Sequence, residues 1–154
     1  EEAMLLAEEA ARAHGGWTTA RHYAVPTTDL PVHDHPKLLS WFRRALRSRL
    51  GPLLAAQFGE EEVGIAGCRV RIFDAFFVKY CAFGGQRYLP VHTDQSTHSF
   101  TIALNGTEDY GGGGTYFCDL GAAIRPERGH VLSFDGDLLH GGDPITWGTR
   151  YIVV

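Results

Sequence analysis

The apolar positions of this chain change their spacing after Gly64. Before that point they recur at helical intervals. Residues 1–13 are dominated by Glu and Ala, Met4, Leu5 and Leu6 offer an apolar face, and Gly15-Gly16 is expected to end the element. Residues 17–25 read as extended and 26–36 as irregular. Leu38, Leu39, Phe42, Ala45, Leu46 and Leu50 then return every three or four residues, which predicts a second helix opening at His35-Pro36, because proline suits a first turn. Gly51-Pro52 is expected to break that helix, with a further short one over 52–58. Lys37, Arg43, Arg44, Arg47 and Arg49 form its polar side, read as a solvated face and not as a nucleic-acid surface.

Beyond Gly64 the runs are short and β-rich: 68–72, 75–81, 97–105, 115–117, 130–134 and 149–154, each bounded by Gly, Asp or Pro. Tyr88-Leu89-Pro90-Val91-His92 adds another short extended run. Strands following helices predict an α+β fold in a single domain, with 1–62 as helical support and 63–154 as a double-sheet β-roll core. The chain shows no repeat and no low-complexity tract.

Composition sharpens this picture at a few points. The 154 residues suffice for one well-buried domain, and 19 glycines suit a β half with many tight connections. The net charge of −4 gives no pull toward nucleic acid or an anionic membrane, and no apolar stretch is long enough to span one. Nothing in the sequence sets an oligomeric state. The chain begins with Glu and not Met, which reads as a trimmed start, so a soluble protein of the cytoplasm or of a secretory route is equally compatible. Cys68, Cys81 and Cys118 make no even framework and read as reduced, packed thiols. Asn105-Gly106-Thr107 is a glycosylation sequon only in a secreted protein, and its simpler reading is a turn.

The chemistry lies in four polar side chains: His92-x-Asp94, His140, and Arg150 ten residues later. Two imidazoles and a carboxylate are the ligand set of non-haem Fe(II) sites with open coordination positions. Residues two apart on a strand share a face, so His92 and Asp94 can meet one metal. By the same parity Arg150 lies with Ile152 and Val154, where a buried charge is costly unless it meets an anion. A guanidinium suits a dicarboxylate, and the set points to Fe(II) with 2-oxoglutarate. Thr101, opposite in parity to His98, is a candidate for lining that pocket.

Other clusters carry less. His33-Asp34-His35 precedes a helix, where Asp34 or His35 is expected to cap it and not to bind metal. His98 alternates with Phe100, Ile102 and Leu104 and is expected to pack on their face. The glycine run 111–114 lacks the Lys-Ser/Thr and helix of a phosphate loop, so it reads as a tight turn or a lip at the site mouth.

From Tyr80 to the end the chain resembles the Fe(II)/2-oxoglutarate dioxygenase domain of prolyl and lysyl hydroxylases, with the procollagen lysyl hydroxylase branch nearer. The resemblance rests on His92-Thr93-Asp94-Gln95-Ser96, Ile102-Ala103-Leu104-Asn105, Asp109-Tyr110-Gly111-Gly112-Gly113-Gly114 and Thr146-Trp147-Gly148-Thr149-Arg150-Tyr151-Ile152. There are departures. Collagen-type prolyl 4-hydroxylases carry Lys where Arg150 stands, and Tyr80 and Tyr88 match the two tyrosines before their first ligand only with a short insertion.

The resemblance implies a double-stranded β-helix, a distorted jelly roll with the N-terminal helices packed on one sheet. It implies Fe(II) on His92, Asp94 and His140, and 2-oxoglutarate held by Arg150 with help from Tyr80. O2 is the other cosubstrate, and ascorbate is admitted as an accessory. Succinate and CO2 leave as an unactivated C–H is hydroxylated. Asp94 separates this chemistry from that of halogenating relatives, which lack the carboxylate. The expected partner is a protein or peptide substrate presenting a prolyl side chain, with lysyl second. Tyr88 and Trp147 are candidate substrate contacts, and Glu108 or Asp109 would serve a lysine. A free amino acid or other small molecule stays open as substrate, as does a non-catalytic jelly-roll binding module with a structural metal. Arg150 separates the last reading from the others, since a structural site needs no dicarboxylate partner and closes its coordination sphere.

Overall fold

The computed structural model describes residues 1–21 and 27–154. Residues 22–25 of the expected extended segment and residue 26 of the irregular one lie outside the described residues. Contacts divide the chain into two compact units, Glu1–Leu30 with Phe76–Val154, and Pro31–Ala75. The boundaries fall at 30/31 and 75/76, so the first helix groups with the strands.

In the first unit, helix α1 covers Glu2–Ala13. The strands are β1 (Asp29–Pro31), β2 (Phe76–Cys81), β3 (Leu89–His92), β4 (His98–Ala103), β5 (Tyr110–Gly112), β6 (Thr115–Phe117), β7 (Ala122–Ile124), β8 (Val131–Asp135), β9 (His140–Gly142) and β10 (Ile145–Val153). The larger sheet runs β1-β2-β10-β4-β8, with β5 also paired to β10, and the smaller runs β3-β9-β6-β7. This is a jelly-roll arrangement of two antiparallel sheets plus helices. Strands β1, β5, β6, β7 and β9 have three residues each, too few to show a clear period, and of these only β6 coincides with an expected run, at 115–117. Strand β10 begins at Ile145, four residues before the expected start at 149.

Helix α1 ends as expected, with Gly15 and Gly16 at φ +87° and +118°. Its buried face differs from the expectation. Ala3, Ala7 and Ala11 are buried, while Leu5 is 63% exposed. Residues four apart lie one above the other on a helix, so the three alanines form a single stripe. Glu8 ties the helix to the larger sheet: its Oε1 accepts hydrogen bonds from Lys79 Nζ at 2.7 Å and Tyr151 Oη at 2.6 Å. Lys79 and Tyr151 are direct partners on β2 and β10, and the Lys79 ammonium also lies 5.4 Å from the Trp17 ring centre.

In the second unit, α2 (Pro36–Ala45) and α3 (Gly51–Phe58) are joined by a π-type turn over Leu46–Leu50, and a short α4 covers Glu60–Val63. Leu38, Phe42, Leu50, Leu54 and Val63 are buried. The expected break at Gly51-Pro52 does not occur, since Leu50 and Gly51 keep helical angles (φ −66°, ψ −46° and φ −58°, ψ −52°). Gly51 N–H bonds back to the Leu46 carbonyl, five residues away. That wider turn accommodates a proline, which has no N–H to give and whose ring crowds the carbonyl four residues back. His35 stands at the N-terminus of α2, but no side-chain cap hydrogen bond is made. His33 Nε2 and Asp34 Oδ1 pair at 3.3 Å on the exposed surface.

The expected strand at 68–72 is a turn followed by irregular chain. Arg69 N–H bonds to Val63 O at 2.9 Å and Val70 N–H to Gly67 O at 3.0 Å, so these amides are used locally and not in a ladder. Gly64 and Gly67 with positive φ set that path. Cys68 and Cys118 are exposed and Cys81 is half-buried, so two of the three thiols are not packed as expected. Asn105 is 5% exposed; its Nδ2 donates to Thr149 O and its Oδ1 accepts from Tyr151 N–H, each at 2.8 Å. The sequon asparagine is therefore occupied in holding β10.

The Glu8–Lys79 pair predicts a pH-dependent stability. Burial pushes the Glu8 carboxyl up, but hydrogen bonds from Lys79 and Tyr151 outweigh it, so its pKa falls below the ordinary 4.5. Burial pushes Lys79 down, but Glu8 outweighs that, so its pKa rises above 10.5. Glu8's contribution is present above its unfolded pKa and lost as pH falls through the lowered folded value. Lys79's is present below its unfolded pKa and lost as pH rises through the raised one. A double-mutant cycle of Glu8→Gln and Lys79→Met, read by thermal melts, should give a coupling of about 0.5–1 kcal/mol at pH 7, since solvent screens a partly exposed pair. Below the folded Glu8 pKa the coupling should vanish.

Candidate active site

The smaller sheet brings the two histidines together. His92 on β3 lies directly opposite His140 on β9, and their ring centres are 4.5 Å apart at 50°. Strand β3 is an edge strand, which tolerates Pro90. The register shifts between Leu89 and His92, a bulge that re-aims the histidine. Glycine is needed on β9: a Cβ on Gly141 would sit 2.7 Å from Leu89 O, and one on Gly142 would sit 2.8 Å from Tyr80 Oη.

Each imidazole is oriented by its own strand. His92 Nδ1 bonds to Pro90 O and His140 Nδ1 to Leu138 O, both at 2.8 Å. A carbonyl only accepts, so Nδ1 carries the proton and Nε2 keeps its lone pair in the neutral ring. Both Nε2 atoms face Asp94, His92 at 3.3 Å from Oδ1 and His140 at 3.5 Å from Oδ2. Lone pairs facing carboxylate oxygens repel unless a proton on Nε2, as in the protonated ring, or a metal ion lies between them, so the donor set fits a metal ion. The three candidate ligand atoms all lie within 4.8 Å of one another, and no other such group occurs among the described residues, His33-Asp34-His35 included.

The surroundings tune the three groups differently. The hydrogen bond with Asp94 is the main cause that raises the His92 pKa, whereas burial lowers that of His140. Burial pushes Asp94 up, but hydrogen bonds from His92 and Ser99 and the nearby His140 outweigh it, so the carboxyl sits below its ordinary value. Asp94 N–H donates to Gly136 O at 2.9 Å, and the Ser99 hydroxyl donates to Asp94 Oδ2. Phe134 packs edge-on against the His140 ring at 4.6 Å between centres, and Phe117 against Phe134 at 5.0 Å.

The larger sheet supplies the other half. Arg150 on β10 is opposite Tyr80 on β2, and Ile152 is opposite both Val78 and Ala103. Stepping by two from these pairs puts Tyr80, Arg150, Thr101 and Ser99 on one face, with Leu132 and Phe134 beside them on β8. His98 falls on the opposite face with Phe100 and Ile102, as expected, its Nδ1 3.4 Å from Asp135 Oδ1. Arg150 is 3% exposed. Its Nη1 donates to Gly114 O at 3.2 Å, its guanidinium lies 5.5 Å from the Tyr80 ring centre, and no carboxylate pairs with it among the described residues. The buried Thr101 hydroxyl likewise has no hydrogen-bond partner among the described residues. Burial raises the Tyr80 pKa, which keeps the phenol protonated as a donor. A buried guanidinium and two hydroxyls on one face, short of acceptors, fit the far carboxylate of a dicarboxylate.

The remaining candidates stand apart. Tyr88 is 55% exposed and, with Gln86, Arg87 and Pro144, lines a shallow surface cleft of about 290 Å³ that none of the candidate metal ligands reaches. Trp147 is half-exposed and lies over Gly111, where a Cβ would meet its Nε1 at 2.2 Å. Asp109 Oδ2 accepts from Gly106 N–H, and Glu108 folds onto the same glycine, so both serve that turn. The glycine run forms the β5 pairing with β10 and then turns through positive φ at Gly112, Gly113 and Gly114. Sequence reasoning missed the link from Ser99 to Asp94, the orienting carbonyls of Pro90 and Leu138, and the Phe117–Phe134 wall. The one sequence signal for Ser99 is its strand parity, two residues before Thr101 on the same face.

Comparison with known proteins defines the class. The fold is shared with a Pseudomonas putida prolyl-4-hydroxylase (TM-score 0.61, 19% identity, 98% of this chain and 84% of that one). It is also shared with AviO1 from Streptomyces viridochromogenes (TM-score 0.64, 15% identity, 99% and 82%). No family model matches the sequence. Over 92% of its length the chain is 32% identical to the human multifunctional procollagen lysine hydroxylase and glycosyltransferase LH3, of which it spans 20%. Over 53% it is 43% identical to procollagen-lysine,2-oxoglutarate 5-dioxygenase 1 of Rattus norvegicus, of which it spans 12%. These likenesses are consistent with a domain of the 2-oxoglutarate-dependent dioxygenase type. Within that class its sequence is similar to the procollagen lysine hydroxylases.

If the donor set takes a metal, binding must stabilise the folded state. Mn(II) at a hundredfold its Kd should add about 2.7 kcal/mol, read as a rise in melting temperature. Asp94→Ala and His140→Ala should abolish the rise. An unchanged rise in Asp94→Ala would remove this residue from the site.

Proposed function

We propose that this chain is an Fe(II)- and 2-oxoglutarate-dependent hydroxylase, with His92, Asp94 and His140 holding the metal and Arg150 the cosubstrate. The observation that carries the reading is Arg150: a buried guanidinium with no carboxylate partner among the described residues, on the sheet face it shares with Ser99, the residue bonded to Asp94. When bound, Fe(II), 2-oxoglutarate and O2 together supply the oxidising power for C–H hydroxylation, with succinate and CO2 as products.

The chain's own residues bind, orient and exclude water. The Pro90 and Leu138 carbonyls keep the Nε2 lone pairs of His92 and His140 turned toward Asp94. Arg150 takes the far carboxylate of 2-oxoglutarate, and Tyr80 and Thr101 add hydroxyl donors. Phe117 and Phe134 keep the His140 side dry, which strengthens every charge interaction there. The structural-metal alternative leaves Arg150 without a reason to be buried and unpaired. Ascorbate as an accessory reductant belongs to the same proposal.

For substrate we propose a prolyl or lysyl side chain in a protein. On sequence proline comes first. The relatives named for procollagen lysine, at 32% and 43% identity, move lysine ahead of it. Support for proline from the solved prolyl-4-hydroxylase extends to the fold alone.

Arg150→Ala should raise the apparent KM for 2-oxoglutarate by roughly 10- to 150-fold, the equivalent of losing one charged hydrogen-bonding interaction. Arg150→Lys should fall between, since an ammonium keeps the charge but not the fork. Succinate release across a 2-oxoglutarate titration measures both, and an unchanged KM in Arg150→Ala would place the cosubstrate elsewhere.

Peptide pools identical except for Lys or Pro decide the substrate. Lysine peptides should stimulate succinate release and gain the mass of one oxygen. The same signal on proline peptides alone would reverse the order. Stimulation only by free amino acids or metabolites would end the protein-hydroxylase reading and leave the dioxygenase reading standing.

A further inference from the structure

Asp94 is the one member of the donor set with two equivalent oxygens, and the structure treats them differently. Oδ1 faces His92 Nε2 and has no hydroxyl or amide donor among the described residues. Oδ2 stands 3.5 Å from His140 Nε2 and accepts the hydroxyl of Ser99, which reaches it from β4 across the turn that follows β3. Ser99 is 7% exposed, while the Asp94 side chain is 23% exposed. The Ser99 oxygen lies 2.8 Å from the Ser96 oxygen. A serine has a single hydroxyl proton. Because Ser99 gives its proton to a carboxylate that can only accept, Ser96 must be the donor to Ser99. The protons therefore run one way, Ser96 to Ser99 to Asp94. The turn carrying Ser96 is packed hard: a Cβ on Gly136 would lie 1.9 Å from Ser96 O, and Gly136 O accepts the Asp94 N–H.

We propose that Ser99 is a positioning residue that engages Oδ2 of Asp94, so that the carboxylate offers Oδ1 alone to the metal, with Ser96 fixing the direction of the Ser99 hydroxyl. This rests on the reading of His92, Asp94 and His140 as a metal site. A carboxylate free to rotate can chelate an ion through both oxygens and fill a position that a dioxygenase must leave open. A carboxylate held by a donor on one oxygen occupies one position. The hydroxyl thus acts on both affinity and coordination number.

The test uses the whole chain and Co(II), whose visible bands report coordination. Ser99→Ala should weaken Co(II) binding about 10- to 100-fold, the range for losing a hydrogen-bond partner of a ligating side chain. It should also shift the visible bands of the loaded protein, with the apo melting temperature kept near wild type. Ser99→Thr, which keeps the hydroxyl and suits a strand, should restore both. Ser96→Ala should show the same spectral change to a smaller extent. Wild-type affinity and an unshifted spectrum in Ser99→Ala would overturn the proposal. So would a Ser99→Thr variant that folds like wild type yet behaves like Ser99→Ala. If the wild-type chain itself binds no Co(II), the metal reading falls and this proposal with it, an outcome distinct from the first two.

Discussion

The buried guanidinium of Arg150 is the constraint around which the catalytic half is arranged. A charge 3% exposed between β-sheets is tolerable only with donors and acceptors arranged to meet it. Among the described residues it meets one acceptor, the Gly114 carbonyl, and the face of the Tyr80 ring. Under the proposed function a carboxylate would complete that pairing.

Around that constraint the two sheets divide the work. The smaller sheet pairs His92 with His140 directly across an antiparallel ladder, so their spacing follows from backbone geometry. The larger sheet presents Arg150, Tyr80 and Thr101 on a shared face through the registers of β2, β10 and β4. Asp94 belongs to neither sheet. It lies on the connection between β3 and β4, and Ser99 ties it to the larger one. The outer face of the β2–β10 pair meets Glu8 of α1, so the strand pair that carries Tyr80 and Arg150 is braced from behind. Close approach demands glycine at the junctions, above all at Gly141 and Gly142, where any side chain would strike Leu89 or Tyr80.

The sequence by itself determined the donor set, the strand parity of Arg150 and Thr101, the opening of the second helix at Pro36, and the change from helical to β spacing. These are local properties, carried by residue type and by periods of 3.6 and 2. It did not determine which positions of α1 are buried, because Met4, Leu5 and Leu6 are the larger apolar residues and only the packed neighbours choose the alanine stripe over them. It did not determine whether Gly51-Pro52 would break a helix, because a π-type turn is a tertiary accommodation. The chain at 68–72 had strand composition but found its hydrogen bonds within its own loop. Strands β1, β5, β7 and β9, the pairing of His92 with His140, and the bond from Ser99 to Asp94 exist only once distant segments meet. Long-range register, not local preference, fixes those contacts, and it was the tertiary structure that turned a list of ligand types into two imidazoles and a carboxylate facing one point.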